Sequence, residues 1–216
     1  MKYKGIIFDL DGVICSTDKY HYKAWKKIAD QLEIPFDEEM NDKLRGVSRM
    51  ESLELILQNG EKVYSNGDKQ TLAEAKNLYY QKLLKQMSSK DLSEVVQNTL
   101  YALKRKGLLL GIGSSSKNTK LILERIGLLN FFDCISDGTM IERSKPDPEV
   151  FLKAAKLLKL LPAECLVVED ASAGAEAAYK GGFDCAGIKA AREYSHITYQ
   201  LDHFEDLITY IEDEYE

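Results

Sequence analysis

The first residues with chemical potential stand almost at the start of the chain. Lys4-Gly5-Ile6-Ile7-Phe8-Asp9-Leu10-Asp11-Gly12-Val13 climbs through an apolar run to Asp9, adds a second carboxylate two residues on, and breaks at a glycine. Ile6, Ile7 and Phe8 read as a buried parallel strand, whose sequence is a continuous apolar run rather than an alternation. Asp9 and Asp11 then fall at its C-terminal end, where open α/β sheets bind ligands. Two carboxylates there repel each other unless a cation or a shared proton relieves them. Asp9 is therefore expected to be a nucleophile beside a divalent metal. An Asp-Gly turn closing a strand would explain the same residues, so partners are needed from elsewhere.

Three later stretches offer them. The apolar run 108–112 leads into Gly113-Ser114-Ser115-Ser116-Lys117-Asn118, a polar loop holds Lys145-Pro146, and the apolar run 165–169 ends at Glu169-Asp170. Each is weak alone, but all follow consecutive expected strands and would meet at one sheet edge. Asp9, Glu169 and Asp170, with Asp11 as a further candidate ligand, make a hard oxygen site suited to Mg²⁺. Ser114 can donate to a phosphoryl oxygen, and Lys145 can neutralise charge that builds in the transition state. Aspartate is a competent covalent nucleophile toward phosphorus. Asp11 would protonate the leaving oxygen and later deprotonate the incoming hydroxyl.

The elements that position these groups alternate strand and helix. Strands are expected near 6–8, 108–112, 131–136, 165–169 and 183–188, with a weak one near 196–201. Helices are expected over 92–106, 119–128, 148–158, 172–180 and 202–213. This spacing indicates an α/β fold, a Rossmann-like doubly wound parallel sheet. Between the first strand and the second the texture is helical, with patterns over 17–32, 37–44, 48–57 and 70–86. Thr17, His21 and Trp25 recur every four residues and share a face of the first of these. The expected organisation is a core of 1–14 and 91–216 with an inserted all-helical cap of 15–90, joined by two crossings that would let a lid rock.

Composition narrows the partners. With 29 Lys and Arg against 35 Asp and Glu, the net charge of -6 and the scattered basic residues argue against a nucleic-acid track. Arg45, Arg49, Lys76, Lys117 and Lys145 suit local recognition of a small anion. Cys15, Cys134, Cys165 and Cys185 are widely spaced, so buried free thiols are expected rather than disulfides or zinc ligands. No signal-like leader or membrane-length apolar run is present, and a monomeric cytoplasmic protein without membrane or nucleic-acid partners is the expectation.

Asp9-Leu10-Asp11-Gly12-Val13, Ser114, Lys145-Pro146 and Glu169-Asp170 resemble the four motifs of the haloacid dehalogenase superfamily, and the helical insertion falls where that superfamily places its cap. The resemblance implies a Mg²⁺-dependent phosphoaspartyl enzyme, and the second aspartate favours phosphoryl transfer over dehalogenation. Residues 17–25, Leu44-Arg45-Gly46-Val47-Ser48-Arg49 and Ser114-Ser115-Ser116-Lys117-Asn118 are similar to segments of the β-phosphoglucomutase family. That similarity implies a hexose bisphosphate held at one end by the cap turn and at the other by the serine-lysine-asparagine loop. It implies that Arg49 grips the distal phosphate, with Gly46, Val47, Ser48 and Ser52 beside it, and that Thr17 steers Asp11. It further implies that His21 and Lys76 link sugar arrival to cap closure, with Trp25 against the sugar or packing the cap helix. Arg45 stands where members of that family carry lysine, which keeps the pocket basic. The expected reaction is interconversion of β-D-glucose 1-phosphate and glucose 6-phosphate through a 1,6-bisphosphate. A sugar-phosphate phosphatase on the same core is the alternative.

Overall fold

The structure is a computed structural model that describes residues 2–44 and 47–213. Arg45 and Gly46 lie outside the described residues. The chain divides into two compact units, Met1–Ser16 with Ser88–Glu216, and Thr17–Met87.

The first unit is built on six parallel strands in the order β3-β2-β1-β4-β5-β6: β1 Gly5–Phe8, β2 Leu109–Gly113, β3 Cys134–Ser136, β4 Cys165–Glu169, β5 Asp184–Gly187 and β6 Tyr199–Gln200. This is the doubly wound order, and its topological switch point lies between β1 and β4, the crevice where such sheets bind ligands. Register there is fixed by Ile7 opposite Val167 and Phe8 opposite Val168. Asp9 therefore leaves β1 level with Glu169 at the end of β4. Helices on the sheet follow from apolar spacing. In α7 (Glu149–Leu158), numbered after the six helices described below, Val150, Phe151, Ala154, Ala155 and Leu158 form one buried stripe. They pack with Ile7, Val167, Ala177 and Cys185 in a hydrophobic core of this unit. The remaining helices of the unit are α5 Glu94–Arg105, α6 Thr119–Arg125, α8 Ser172–Lys180 and α9 Asp206–Asp213. The four cysteines are buried free thiols, and burial pushes Cys134 and Cys165 up to about 12.

The second unit contains α1 Asp18–Gln31, α2 Glu38–Asp42, α3 Arg49–Leu57 and α4 Asn66–Leu84, with no strand among the described residues. Trp25, Ile28, Leu53, Ile56 and Ala73 form its own hydrophobic core. Among the described residues no helix is long and apolar enough to cross a membrane.

Among the boundaries that differ from the sequence expectation, three have a clear local reason. Helix α4 starts four residues before the expected position 70, because Ser65 and Asp68 form a reciprocal capping box. Strand β3 begins only at Cys134, because Phe131 and Phe132 turn inward and pack edge-on against each other, with Phe132 beside Phe8. Helix α9 begins at Asp206 rather than 202, since the Asp206 carboxylate accepts the N–H groups of Asp202 and His203 and holds them in a turn.

Leu53 is fully buried in the second unit's core. Leu53→Ala should lower stability by about 3 kcal/mol, the usual cost of such a cavity, in a urea titration followed by helical circular dichroism. A loss below about 1 kcal/mol would mean that this core is less closely packed than described.

Candidate active site

The site in the first unit grows out of three strand ends. Asp9, directly after β1, is buried and donates its N–H to the Val168 carbonyl at 2.9 Å, which ties it to β4. Glu169, the last residue of β4, is also buried; its Oε2 accepts the N–H groups of Asp170 at 2.9 Å and Ala171 at 3.0 Å. The room for that carboxylate comes from Gly174 in α8, where a Cβ would lie 1.9 Å from Glu169 Oε1. Lys145 reaches between them: its Nζ donates to Asp9 Oδ1 at 2.5 Å and to Glu169 Oε1, and packs 4.6 Å from the Phe151 ring centroid.

Asp9, Glu169 and Asp170 each offer a carboxylate oxygen, and these atoms all lie within 4.8 Å of one another. Three hard oxygen donors at that separation fit a divalent cation of the Mg²⁺ or Ca²⁺ class. Asp11, expected as a fourth ligand, is not part of this cluster. The physical reason lies in the backbone: β1 ends at Phe8, and the chain turns at once, with Ile14 N–H bonded to Leu10 O and Asp11 bridged to Cys15. That turn takes Asp11 off the strand line that carries Asp9.

The electrostatics are those of crowded, buried acids. Burial works against the Lys145 ammonium, but the charges of Asp9 and Glu169 outweigh it and raise its pKa. Glu169 is raised by burial and by its acidic neighbours, against the opposing pull of Lys145. Asp170 is pushed up to about 7 by burial and by Asp9, with Lys189 opposing.

The loop after β2 presents the hydroxyl groups. Ser114 is buried, its N–H bonded to the Ser136 carbonyl at 3.0 Å and its Oγ accepting the Ser116 N–H at 3.2 Å. Ser116 Oγ accepts the Asn118 N–H at 3.1 Å, so the loop is a chain of serine turns leading into α6. The Ser115 and Ser136 hydroxyls are buried without a hydrogen-bond partner among the described residues. Such groups ask for a partner that a ligand oxygen can supply. Lys117 is exposed, and Asn118 is buried at the N-cap position of α6 without a side-chain capping bond.

The second unit gathers another part of the expected set. Lys76 on α4 is buried, within hydrogen-bond distance of His21 Nδ1 at 3.0 Å, and its Nζ lies 4.7 Å from the Trp25 ring centroid and 4.5 Å from that of Tyr80. Burial, then Lys76 and Arg49, hold the His21 imidazole well below its ordinary value, which favours its neutral form. Thr17, fully buried ahead of α1, accepts the Tyr80 hydroxyl at 2.9 Å. Tyr80 was not anticipated; its spacing of four from Lys76 on α4 was the available signal. Arg49 opens α3, and burial lowers its pKa. Ser52 is buried one turn on. The expected anion cradle of backbone N–H groups at 46–48 meets a difficulty. The Val47 N–H already bonds Leu44 O at 3.3 Å, and the Ser48 N–H bonds Glu51 in a capping box at 3.2 Å. A phosphate there would have to displace Glu51 or be met by side chains, Arg49 first.

With this geometry in view, comparison with known proteins assigns the fold family. A model of the haloacid dehalogenase-like hydrolase family matches residues 6–188. The chain belongs to that family. It is 42% identical over 214 residues to a β-phosphoglucomutase of Bacillus subtilis (strain 168), covering 94% of this chain and 95% of that one. A phosphorylated carbohydrates phosphatase of Thermotoga maritima is 28% identical over 184 residues, covering 84% and 82%. The crystal structure of a β-phosphoglucomutase from Clostridium difficile superposes with a TM-score of 0.90 at 36% identity, covering 99% of this chain and 97% of that chain. This haloacid dehalogenase-like chain carries a buried lysine between two acids at the ends of neighbouring strands.

The raised acids give the site a pH signature. Between the ordinary carboxylate range near about 4 and about 7, the folded chain holds a proton on Asp170 that the unfolded chain has released. The cation-free protein therefore loses stability as pH rises through that window. A saturating divalent cation should offset this, raising Tm more at about pH 8 than at about pH 5; at about a hundredfold excess over Kd it adds about 2.7 kcal/mol of stability. A Tm at about pH 8 that ignores the cation would contradict the assigned cluster.

Proposed function

We propose that the chain is a phosphomutase that interconverts β-D-glucose 1-phosphate and glucose 6-phosphate, with Asp9 as the phosphorylated nucleophile. The observation that carries this reading is likeness at 42% identity along nearly the whole chain, helical insertion included, to a relative named for that reaction. The Lys145-bridged acids support phosphoryl transfer as its chemistry.

In this reading an Asp9 carboxylate oxygen attacks phosphorus, and the P–O bond to the leaving oxygen breaks. Asp11 supplies the proton that oxygen needs. Lys145 orients Asp9, and its positive charge offsets the charge that builds on the transferring oxygens. Ser114, with the unpartnered Ser115 hydroxyl, would donate to phosphate oxygens. Asp9 and Asp170, with Glu169, would hold Mg²⁺, which supplies neutralising charge between the anionic nucleophile and the anionic phosphate. The phosphoryl group then passes to the C6 hydroxyl of β-glucose 1-phosphate, whose proton goes to Asp11. The resulting bisphosphate turns round and returns its C1 phosphate to Asp9, leaving glucose 6-phosphate.

A mutase has to grip whichever phosphate is not reacting. Arg49 suits that task, because its planar fork can pair with two oxygens. Arg45, Gly46, Val47, Ser48 and Ser52 would lie around the same phosphate, and Lys117 and Asn118 around the other end of the sugar. Neutral His21, bonded to Lys76, and Thr17, bonded to Tyr80, would couple the sugar's arrival to the cap. The protein would act as a cytoplasmic monomer on a small phosphosugar. A phosphatase is the second reading, favoured by the 28% likeness to the Thermotoga maritima enzyme. There water would replace the C6 hydroxyl.

The two readings part in an assay with Mg²⁺, glucose 1,6-bisphosphate as primer, and each anomer of glucose 1-phosphate in turn. Conversion of the β anomer alone to glucose 6-phosphate is expected. Arg49→Ala should reduce that turnover by about a hundredfold or more while sparing hydrolysis of acetyl phosphate. Steady phosphate release without isomerisation would replace the mutase by the phosphatase. Equal losses on both substrates would remove Arg49 from the distal phosphate.

A further inference from the structure

Lys189 opens the 3₁₀ turn Lys189–Glu193 that follows β5, and its backbone is left-handed, with φ 54°. A residue with a Cβ is strained in that region, and such strain persists only where the surroundings hold it. Here they do. The Ile188 N–H bonds the Glu169 carbonyl at 2.8 Å and the Ala191 N–H bonds the Asp170 carbonyl at 3.0 Å, so the turn is fastened to the end of β4. From this position the half-exposed Lys189 side chain reaches back across the switch point. Its Nζ donates to the Gly12 carbonyl at 2.5 Å and stands 3.6 Å from Asp170 Oδ2.

Gly12 is the other half of the contact. It is left-handed at φ 90°, and a Cβ on it would fall 1.9 Å from Asp170 Oδ2. The backbone immediately after Asp11 thus rests directly on a carboxylate of the acidic cluster, and one ammonium holds both. The turn itself is closed by the N–H groups of Ile14 and Cys15 on Leu10 O and of Gly12 on Cys15 O, and the Lys189 bond ties it to the turn after β5.

We propose that Lys189 is a positioning residue: it latches the Gly12 carbonyl onto Asp170 and so fixes the turn from which Asp11 delivers its proton. This rests on the reading of Asp9 as nucleophile and Asp11 as proton donor. Phosphorylation forms the Asp9 Oδ–P bond and breaks the bond from phosphorus to the leaving oxygen, which keeps the electron pair. A sugar alkoxide must take a proton as it leaves; the carboxylate leaving an acyl phosphate need not. Loss of the latch should therefore be felt with one donor and not with the other.

The test compares phosphorylation of the Mg²⁺-loaded protein by β-glucose 1,6-bisphosphate and by acetyl phosphate. Lys189→Asn suits it, because asparagine tolerates the left-handed backbone but is too short to reach Gly12. With the bisphosphate, kcat should fall about tenfold or more while KM stays within about twofold. The acetyl phosphate rate should stay within about twofold, and Lys189→Arg should restore most of the loss. Equal losses with both donors, no loss with either, or an arginine variant as poor as the asparagine one would overturn the proposal. If the protein hands its phosphoryl group to water rather than to sugar, the mutase reading fails. The comparison of leaving groups, which concerns only the first half-reaction, still decides the role of Lys189.

Discussion

The site depends on one ammonium group held between two buried acids. Lys145 joins Asp9, which ends one central strand, to Glu169, which ends its neighbour, and Asp170 follows directly. Three carboxylates in that space carry more charge than one lysine can cancel, and burial together with their acidic neighbours raises Glu169 and Asp170 while the lysine stays charged. Removing one partner of such a buried pair typically costs on the order of 3–5 kcal/mol, because the other is left uncompensated. The buried acids beyond what Lys145 neutralises are kept at a standing cost in stability, as the raised Glu169 and Asp170 show. A divalent cation held by them would relieve that cost.

Glycines make the crowding sterically possible. Gly174 leaves space for the Glu169 carboxylate and Gly12 for that of Asp170, and in both places a Cβ would overlap an oxygen. The helical unit handles its charges by other means. Lys76 is buried against two aromatic rings and an imidazole, so cation–π contacts and a hydrogen bond offset part of its desolvation.

Much of this was legible in the sequence, and what was not has clear physical causes. The strands around Ile6-Ile7-Phe8 and 165–169 announce themselves as apolar runs, and their pairing brings the motif residues together as the doubly wound order requires. The Lys145 bridge joins residues 136 and 24 positions apart and has no local signature, so the lysine could be named as a charge neutraliser but not placed. Gly174 sits inside a run of alanines that reads simply as helix, and its role exists only because Glu169 turns toward α8. Tyr80 and Lys189 look like surface residues in sequence; one is defined by Thr17 and His21 on another helix, the other by a carbonyl 177 positions away. Asp11 stands apart from the carboxylate cluster of Asp9, Glu169 and Asp170; two acids at i and i+2 look equivalent until the backbone turn between them is known.

The central claim is that the Lys145-held carboxylate of Asp9, and no other group, takes the phosphoryl group. Mass spectrometry of the protein after brief exposure to acetyl phosphate and Mg²⁺, quenched in acid and digested, tests it most directly. The expected result is the mass of one phosphoryl group on the peptide containing Asp9, absent from Asp9→Asn. Phosphorylation that maps to another residue, or that persists in Asp9→Asn, would contradict it.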